Sequence, residues 1–269
     1  MLLTLLAAAS ANASPITNGL VAEYRMDGNL HDDAGAANGA MVGAPSFVTS
    51  PYGGQALSVS PGNYGRVPAA TAFHPGLRSF TIAVDFNSIG GFASPVRHIP
   101  VFVMQGGDFT EGILMFIGGG VGDPSIIGAT LSSGGGNSQV LNDDEPASLL
   151  NQWHNVAVTV DRTSSLLSLY LDGVQVRQSP LTVTSIDPSQ DFLFGAYDYG
   201  FARNGHARFI SGQSLLLDNL AIYDRALAPT EIATLAHISG VPEPATWVQL
   251  VAAGLGFVAY RVRRRTIRL

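Results

Sequence analysis

The chain has 269 residues, 46% hydrophobic and 13% charged, with 31 glycines and no cysteine. That composition excludes a disulfide framework, a cysteine nucleophile or a cysteine metal site, and it excludes disorder for most of the length. All fourteen basic residues are Arg, and between positions 14 and 240 nine Arg face nineteen Asp and Glu, a net charge of −10 that leaves no basic face for nucleic acid.

Residues 2–9 form an apolar run, and Ala11-Asn12-Ala13 has the small-residue pattern of a secretory cleavage site. Residues 1–13 therefore read as a signal peptide. The run is short and no basic residue precedes it, which leaves open a longer leader or a plain frayed terminus.

Strict alternation marks residues 20–25 (L-V-A-E-Y-R), 55–60, 79–86 (S-F-T-I-A-V-D-F) and 153–161 (W-H-N-V-A-V-T-V-D) as half-buried strands. Further strands are predicted at 100–104, 112–117, 165–171, 174–177, 192–194 and 215–223. Asp172-Gly173 supplies the positive φ angles of a tight primed turn, so 165–177 reads as a hairpin. The glycine-rich runs G-G-G-V-G-D and S-S-G-G-G-N read as loop tips, and Asp143-Asp144-Glu145, between Asn142 and Pro146, as a solvated turn. One helix is predicted at 229–237, opened by Pro229 with Ile232, Leu235 and Ala236 on one face. About a dozen strands in series without intervening helices predict an all-β antiparallel sandwich over residues 14–240.

Beyond the helix, Val241-Pro242-Glu243-Pro244 blocks helical continuation. Residues 245–260 are mostly apolar, and Arg261, Arg263, Arg264, Arg265 and Arg268 follow. As a helix this stretch spans roughly 24 Å, short of a typical ~30 Å hydrocarbon core. The Arg cluster is a positive-inside stop. A one-pass anchor, a last domain helix and a sorting label are the three readings.

Several stretches together resemble the laminin-G-like jelly-roll family of the concanavalin A-like lectin/glucanase superfamily. They are G-L-V-A-E-Y-R-M-D-G-N-L-H-D-D-A-G, Y-G-G-Q-A-L-S-V, S-F-T-I-A-V-D-F, W-H-N-V-A-V-T-V-D, L-Y-L-D-G-V and L-D-N-L-A-I-Y-D-R-A-L-A-P-T-E-I-A-T-L, spanning residues 19–237 in order. The resemblance implies a jelly-roll β-sandwich and leaves activity open, since one fold hosts lectins, hydrolases and adhesive modules. The chain departs from the family pattern at Asp85, where a Trp is frequent, at Ala228 before the helix, where Ser or Thr is common, and at Ala34. Loss of the Ser or Thr cap removes about 1 kcal/mol.

The resemblance also implies a structural calcium held by Asp27, a carbonyl near Gly54, and Asp218. The stretch from Asp27 to Asp33 offers four oxygen side chains, which suits a hard cation and equally suits turn hydrogen bonds; Asp32 and Asp33 are lesser candidates. Glucanases of the superfamily carry an E-x-D-x-E-like strand pattern, and none occurs here. His31, His74, His98, His154, His206 and His237 show no metal spacing, and by resemblance Trp153-His154 is a packing pair. Tyr197, Tyr199 and Phe201 alternate, with Arg203, Asn204 and His206 beyond, as sugar-stacking aromatics with polar neighbours would. Three aromatics on one face of a strand also fill a core.

V-P-E-P, the short apolar span and the Arg-rich end resemble the bacterial PEP-CTERM sorting signal, here residues 241–269 with a short transmembrane helix. That resemblance implies an exosortase-type processing enzyme, residence in the inner membrane before processing, and export to the cell surface or exopolysaccharide matrix. The expected function is a non-enzymatic binding module for polysaccharide or a surface protein. The alternatives are a structural matrix protein without a discrete ligand and a glycan-active hydrolase.

Overall fold

The computed structural model describes residues 16–69, 73–90, 96–103, 111–120, 123–143, 148–196 and 214–236. Fifteen strands and one helix fall within them, and every strand pairing is antiparallel. The strands are β1 (Leu20–Tyr24), β2 (Ala40–Val42), β3 (Ser46–Thr49), β4 (Gln55–Val59), β5 (Tyr64–Val67), β6 (Phe80–Ile89), β7 (Val96–Val103) and β8 (Gly112–Gly120). There follow β9 (Asp123–Ser132), β10 (Ser138–Asp143), β11 (Trp153–Asp161), β12 (Leu166–Leu171), β13 (Val174–Pro180), β14 (Phe192–Phe194), β15 (Ser214–Tyr223) and the helix α1 (Pro229–Leu235). The larger sheet runs β13-β12-β11-β6-β15-β4-β3 with β1 also on β15; the smaller runs β10-β9-β8-β7-β14-β5-β2. This is the all-β antiparallel sandwich that the alternation implied, in the jelly-roll form that the resemblance implied.

Alternation builds the core. On β6, Phe80, Ile82, Val84 and Phe86 point between the sheets, beside Val156, Val158 and Val160 of β11 and Leu215, Leu217, Leu220 and Ile222 of β15. The smaller sheet answers with Phe102, Ile113, Met115, Ile117, Leu131, Phe192 and Phe194. Each such side chain contributes about 1.5–3 kcal/mol by leaving water.

The opposite parity of β6 (Thr81, Ala83, Asp85, Asn87) lies on the outer face of the larger sheet. Half of that face is apolar: Ala83, Ala157, Ala221 and Tyr223 pack with Leu227 and Ile232 under α1. Three alanines on adjacent strands leave room for a helix to approach. Thr81 ties the descending chain down, its Oγ1 donating to the Arg225 carbonyl and accepting from the Leu227 amide, both 2.9 Å. Ala228 supplies no side-chain cap, as the sequence implied, but Glu231 reaches back to the Ala228 amide at 2.9 Å and is gripped by both terminal nitrogens of Arg225. The helix ends at Leu235, two residues before the expected end, which lies outside the described residues.

The Asp172-Gly173 turn has φ 50° and 78°, as a primed turn requires, and a Cβ on Gly173 would meet Ala233 Cα at 2.9 Å. The run G-G-G-V-G-D lies mostly in paired strands: β8 extends to Gly120 and β9 begins at Asp123, and the two residues between them lie outside the described residues, while S-S-G-G-G-N does turn, with Gly134, Gly135 and Gly136 at positive φ. Glycine inside this pair has a packing cause, because the Phe116 ring lies over Gly128, its cross-strand neighbour. One expectation fails: Asp143 is not solvated but ends β10 at 1% exposure, paired with Arg177 of β13 at 2.6 Å. Short strands β2, β3, β5 and β10 and the glycine-broken β9 carried too little alternation to be read from the sequence.

Among the described residues no helix is long and apolar enough to cross a membrane. The C-terminal apolar helix expected from the sequence lies outside them.

Candidate functional site

The site follows from one irregularity in β15. Its residues Leu215–Leu217 pair with β4, and Leu220–Tyr223 pair with β1, so one edge of the strand changes partner midway. The change falls at a bulge between Asp218 and Ala221, with Asn219 at φ 48°. Asp218 therefore stands where the end of β1 and the start of β4 converge. Those ends carry Asp27 and Gly54.

The structure brings Asp27, Gly54 and Asp218 together. Asp27 Oδ1 accepts from the Gln55 amide at 2.6 Å, and its carboxylate lies against Gly54, whose φ is +66°. A Cβ at Gly54 would stand 2.6 Å from Asp27 Cγ and closer still to Oδ1, so only glycine admits the carboxylate. Asp218 is 1% exposed; Oδ1 accepts from the Asn219 amide at 2.9 Å and Oδ2 from the Ser50 hydroxyl. Burial pushes the Asp218 carboxyl up to about 6; the Ser50 and Asn219 bonds oppose that rise, and the Asp27 charge adds to it. Ser50 had no signal in the sequence beyond standing four residues before Gly54.

Asp32 and Asp33 do not join the rim. Asp32 accepts from the amides of Glu23, Ala34, Gly35 and Ala37 at 2.9–3.1 Å, spending its carboxylate on a turn. Asp33 pairs with Arg25 at the surface. His154 packs against Phe86 at 5.8 Å, as the packing expectation had it, and its Nδ1 lies 2.9 Å from Asp172 Oδ2.

Beside the rim lies a row that sequence reasoning noted only as an oddity at Asp85. Asp85 is fully buried, cross-strand from Asp218 on one side and Asn155 on the other. Its carboxylate accepts from Asn155 Nδ2 at 2.7 Å and Asn219 Nδ2 at 3.0 Å. Burial pushes Asp85 up to about 7; the two amide bonds oppose this, and Asp218 and Asp172 add to it. Trp153 and Asn87 are cross-strand partners on the same face, and Tyr52 packs edge-on against Trp153 at 5.5 Å. Alternation in W-H-N-V would have placed Asn155 with Trp153; that it meets Asp85 required the register.

Among the described residues no group of three or more His, Cys, Asp and Glu is set to hold a metal, and no Arg or His pairs with Asp27, Asp85 or Asp218. Hard cations also take hydroxyl, amide and backbone oxygens. Asp27 over Gly54, and Asp218 with the Ser50 hydroxyl on its Oδ2, offer oxygens of that kind without a counter-charge. Tyr197, Tyr199, Phe201 and Arg203 lie outside the described residues, as do Val241, Pro242, Glu243 and Pro244.

Two antiparallel sheets closed over one core define a jelly-roll-like β-sandwich. The family model described as concanavalin A-like lectin/glucanases superfamily matches residues 61–233, and the chain belongs to that superfamily. The PEP-CTERM protein-sorting motif matches residues 240–265. No curated protein matches the chain. Among solved structures it is similar to the receptor binding domain of botulinum neurotoxin C/D mosaic serotype, with 12% identity over 83% of this chain and 52% of that one, TM-score 0.64. It is also similar to the binding domain of botulinum neurotoxin DC in complex with SialylT, with 14% identity over 81% and 51%, TM-score 0.61. The chain thus spans about half the length of these structures, and at such identity the likeness is one of fold.

Proposed function

We propose that this chain is an exported bacterial module, a signal peptide at 1–13 and a sandwich at 14–240, that works at the cell surface or in the extracellular matrix by binding polysaccharide or a surface protein. The observation that carries the reading is the sorting motif following directly on a lectin-type sandwich. It implies passage through the inner membrane and processing by an exosortase-type enzyme. The neighbours' printed descriptions, a receptor binding domain and a complex with SialylT, agree with binding as the use of the fold. Asp85 and Asp218 adjoin on neighbouring strands but are 0% and 1% exposed, whereas a glycosidase needs two carboxyls open to the sugar.

In this proposal Asp27, the carbonyl near Gly54 and Asp218 hold a structural calcium, with Ser50 beside them. The ion would neutralise the two carboxylates, and its ligands would join the ends of β1, β4 and β15. Tyr197, Tyr199, Phe201 and Arg203 remain the proposed glycan contacts. The test is binding of the full chain to the host's exopolysaccharide and to a glycan array in calcium. Saturable binding lost on Tyr199→Ala supports the reading; no binding to any glycan refutes the polysaccharide version and leaves the protein partner. Intact mass of protein from the host tests sorting: a mass ending near Pro244 is expected, and one reaching Leu269 refutes processing in favour of an anchor.

A further inference from the structure

We propose that the open end of the larger sheet's outer face, where Trp153, Asn87, Leu216 and Ser58 form one row, binds a segment of neutral polysaccharide. The proposal rests on the polysaccharide version of the function above and adds a contact separate from Tyr199.

Register makes the row. Trp153 pairs with Asn87, Asn87 with Leu216, Leu216 with Ser58 and Ser58 with Ser46, so five adjacent strands each give one side chain. The residues flanking them along the strands, Phe86, Leu215, Leu217, Leu57 and Val59, face the core, which turns this row outward. Trp153, Leu216 and Ser58 are half-buried and Ser46 is exposed. On the same face α1 covers the far end and Asp85, Asn155 and Asp218 are buried in the middle.

The row combines a stacking surface with unused donors. The half-buried indole of Trp153 offers an apolar face, and Tyr52 stands edge-on to it at 5.5 Å. Tyr52 is set there by the rim, since its amide donates to Ser50 Oγ at 3.2 Å and Ser50 donates to Asp218. Among the described residues the Trp153 indole N–H and the Ser46 and Ser58 hydroxyls have no hydrogen-bond partner, and none of the three is a buried orphan. Apolar area with a few open polar groups is what a sugar ring, apolar on its faces and hydroxylated at its edges, requires.

Size and charge select the occupant. Strands spaced about 4.8 Å apart make the row about 19 Å long, and with the next row out, Ile89 and Ser214, the open face is about 14 Å wide where β6 ends. Roughly 250 Å² is far below the ~800 Å² per partner of a stable protein interface. It suits one extended polymer chain. No residue of either row is charged, and the net charge of −10 on residues 14–240 repels an acidic polymer.

The experiment uses the full chain in calcium with Trp247→Phe, which leaves Trp153 as its one tryptophan. The probes are cellohexaose, laminarihexaose, maltohexaose and fragments of the host's exopolysaccharide. Trp153 emission should change saturably with at least one of them. Ser58→Arg sets a long charged side chain across the row without touching the core and should weaken that binding by at least about tenfold. Tyr199→Ala should leave it within about twofold, whereas a polymer that engages both contacts is weakened by either change. Should Ser58→Arg fail to fold, Ser46→Arg, on the exposed end of the row, takes its place. Glycan binding that leaves Trp153 emission unmoved, or that persists unchanged in the arginine variant, overturns the strip and leaves the polysaccharide reading standing. No glycan binding by any measure overturns both. Emission that answers only to an acidic polymer such as alginate, or a dimer in sedimentation that Ser58→Arg dissolves, also overturns the proposal.

Discussion

Replacing Gly54 by Ala tests the rim directly. The new Cβ would lie 2.6 Å from Asp27 Cγ and nearer to Oδ1, on a residue with φ +66°. Holding alanine in that left-handed region costs about 1–2 kcal/mol. Driving the carboxylate off removes its bond to the Gln55 amide, 2.6 Å long and charge-assisted, a further ~1.5–3 kcal/mol. The sum, about 2.5–5 kcal/mol, corresponds to a fall of roughly 5–20 °C in Tm for a domain of this size. Asp27→Ala relieves the clash, so in a double-mutant cycle the two substitutions should cost less together than their sum by at least about 1 kcal/mol. Chemical and thermal denaturation of the four proteins provide the assay, in calcium and in chelator. Calcium should stabilise the native chain more than Gly54→Ala. Stability of Gly54→Ala within about 0.5 kcal/mol of native, or strict additivity with Asp27→Ala, refutes the placement of Asp27 over Gly54.

Arg177→Ala strands the Asp143 carboxylate, 1% exposed with Oδ2 already lacking a partner, and is expected to cost about 2–3 kcal/mol, partly recovered by adding Asp143→Asn; urea titration checks both. In chelator, Asp85 and Asp218 carry folded pKa values raised to about 7 and about 6. The folded state therefore binds more protons than the unfolded chain above about pH 4, so stability should fall as pH rises from about 4 to 7 and level off above. Calcium should flatten that slope, and a chelated protein with no slope in this window would contradict it. Glu231 behaves oppositely: Arg225 and the Ala228 amide hold its carboxyl down to about 2. Its stabilisation is present above about pH 4.3 and lost as pH falls toward 2. Because the pair is partly exposed, Glu231→Gln should cost only about 1 kcal/mol at neutral pH by thermal melting.

The fold was legible where polar and apolar residues alternate along a strand, or where a short apolar run stands between an Asp and a Gly as in D-F-L-F-G. Residues 153–161 and 192–194 were read to the residue, and residues 20–25 and 215–223 to within one at an end. Asp172-Gly173 announced its turn because few dipeptides accept positive φ twice. Strands such as Ala40–Val42 are too short to display a period, and Asp123–Ser132 is interrupted by a glycine whose cause, the Phe116 ring, lies on another strand. Asp143 looked like part of a solvated turn because its partner Arg177 comes from the other sheet.

Resemblance to the family implied Asp27, Gly54 and Asp218 as a group; by itself the sequence determined the layered all-β architecture, the short helix and the sorting motif. Those properties are local: they rest on alternation, turn chemistry and residue order, which a chain carries whatever its partners. Only the tertiary structure decided that Asp32 is consumed by four backbone amides, that Ser50 joins the rim, and that Asp85 meets Asn155 and Asn219 in a buried row. Burial and counter-charge are relations between strands far apart in sequence, and the register of β6, β11 and β15 sets them.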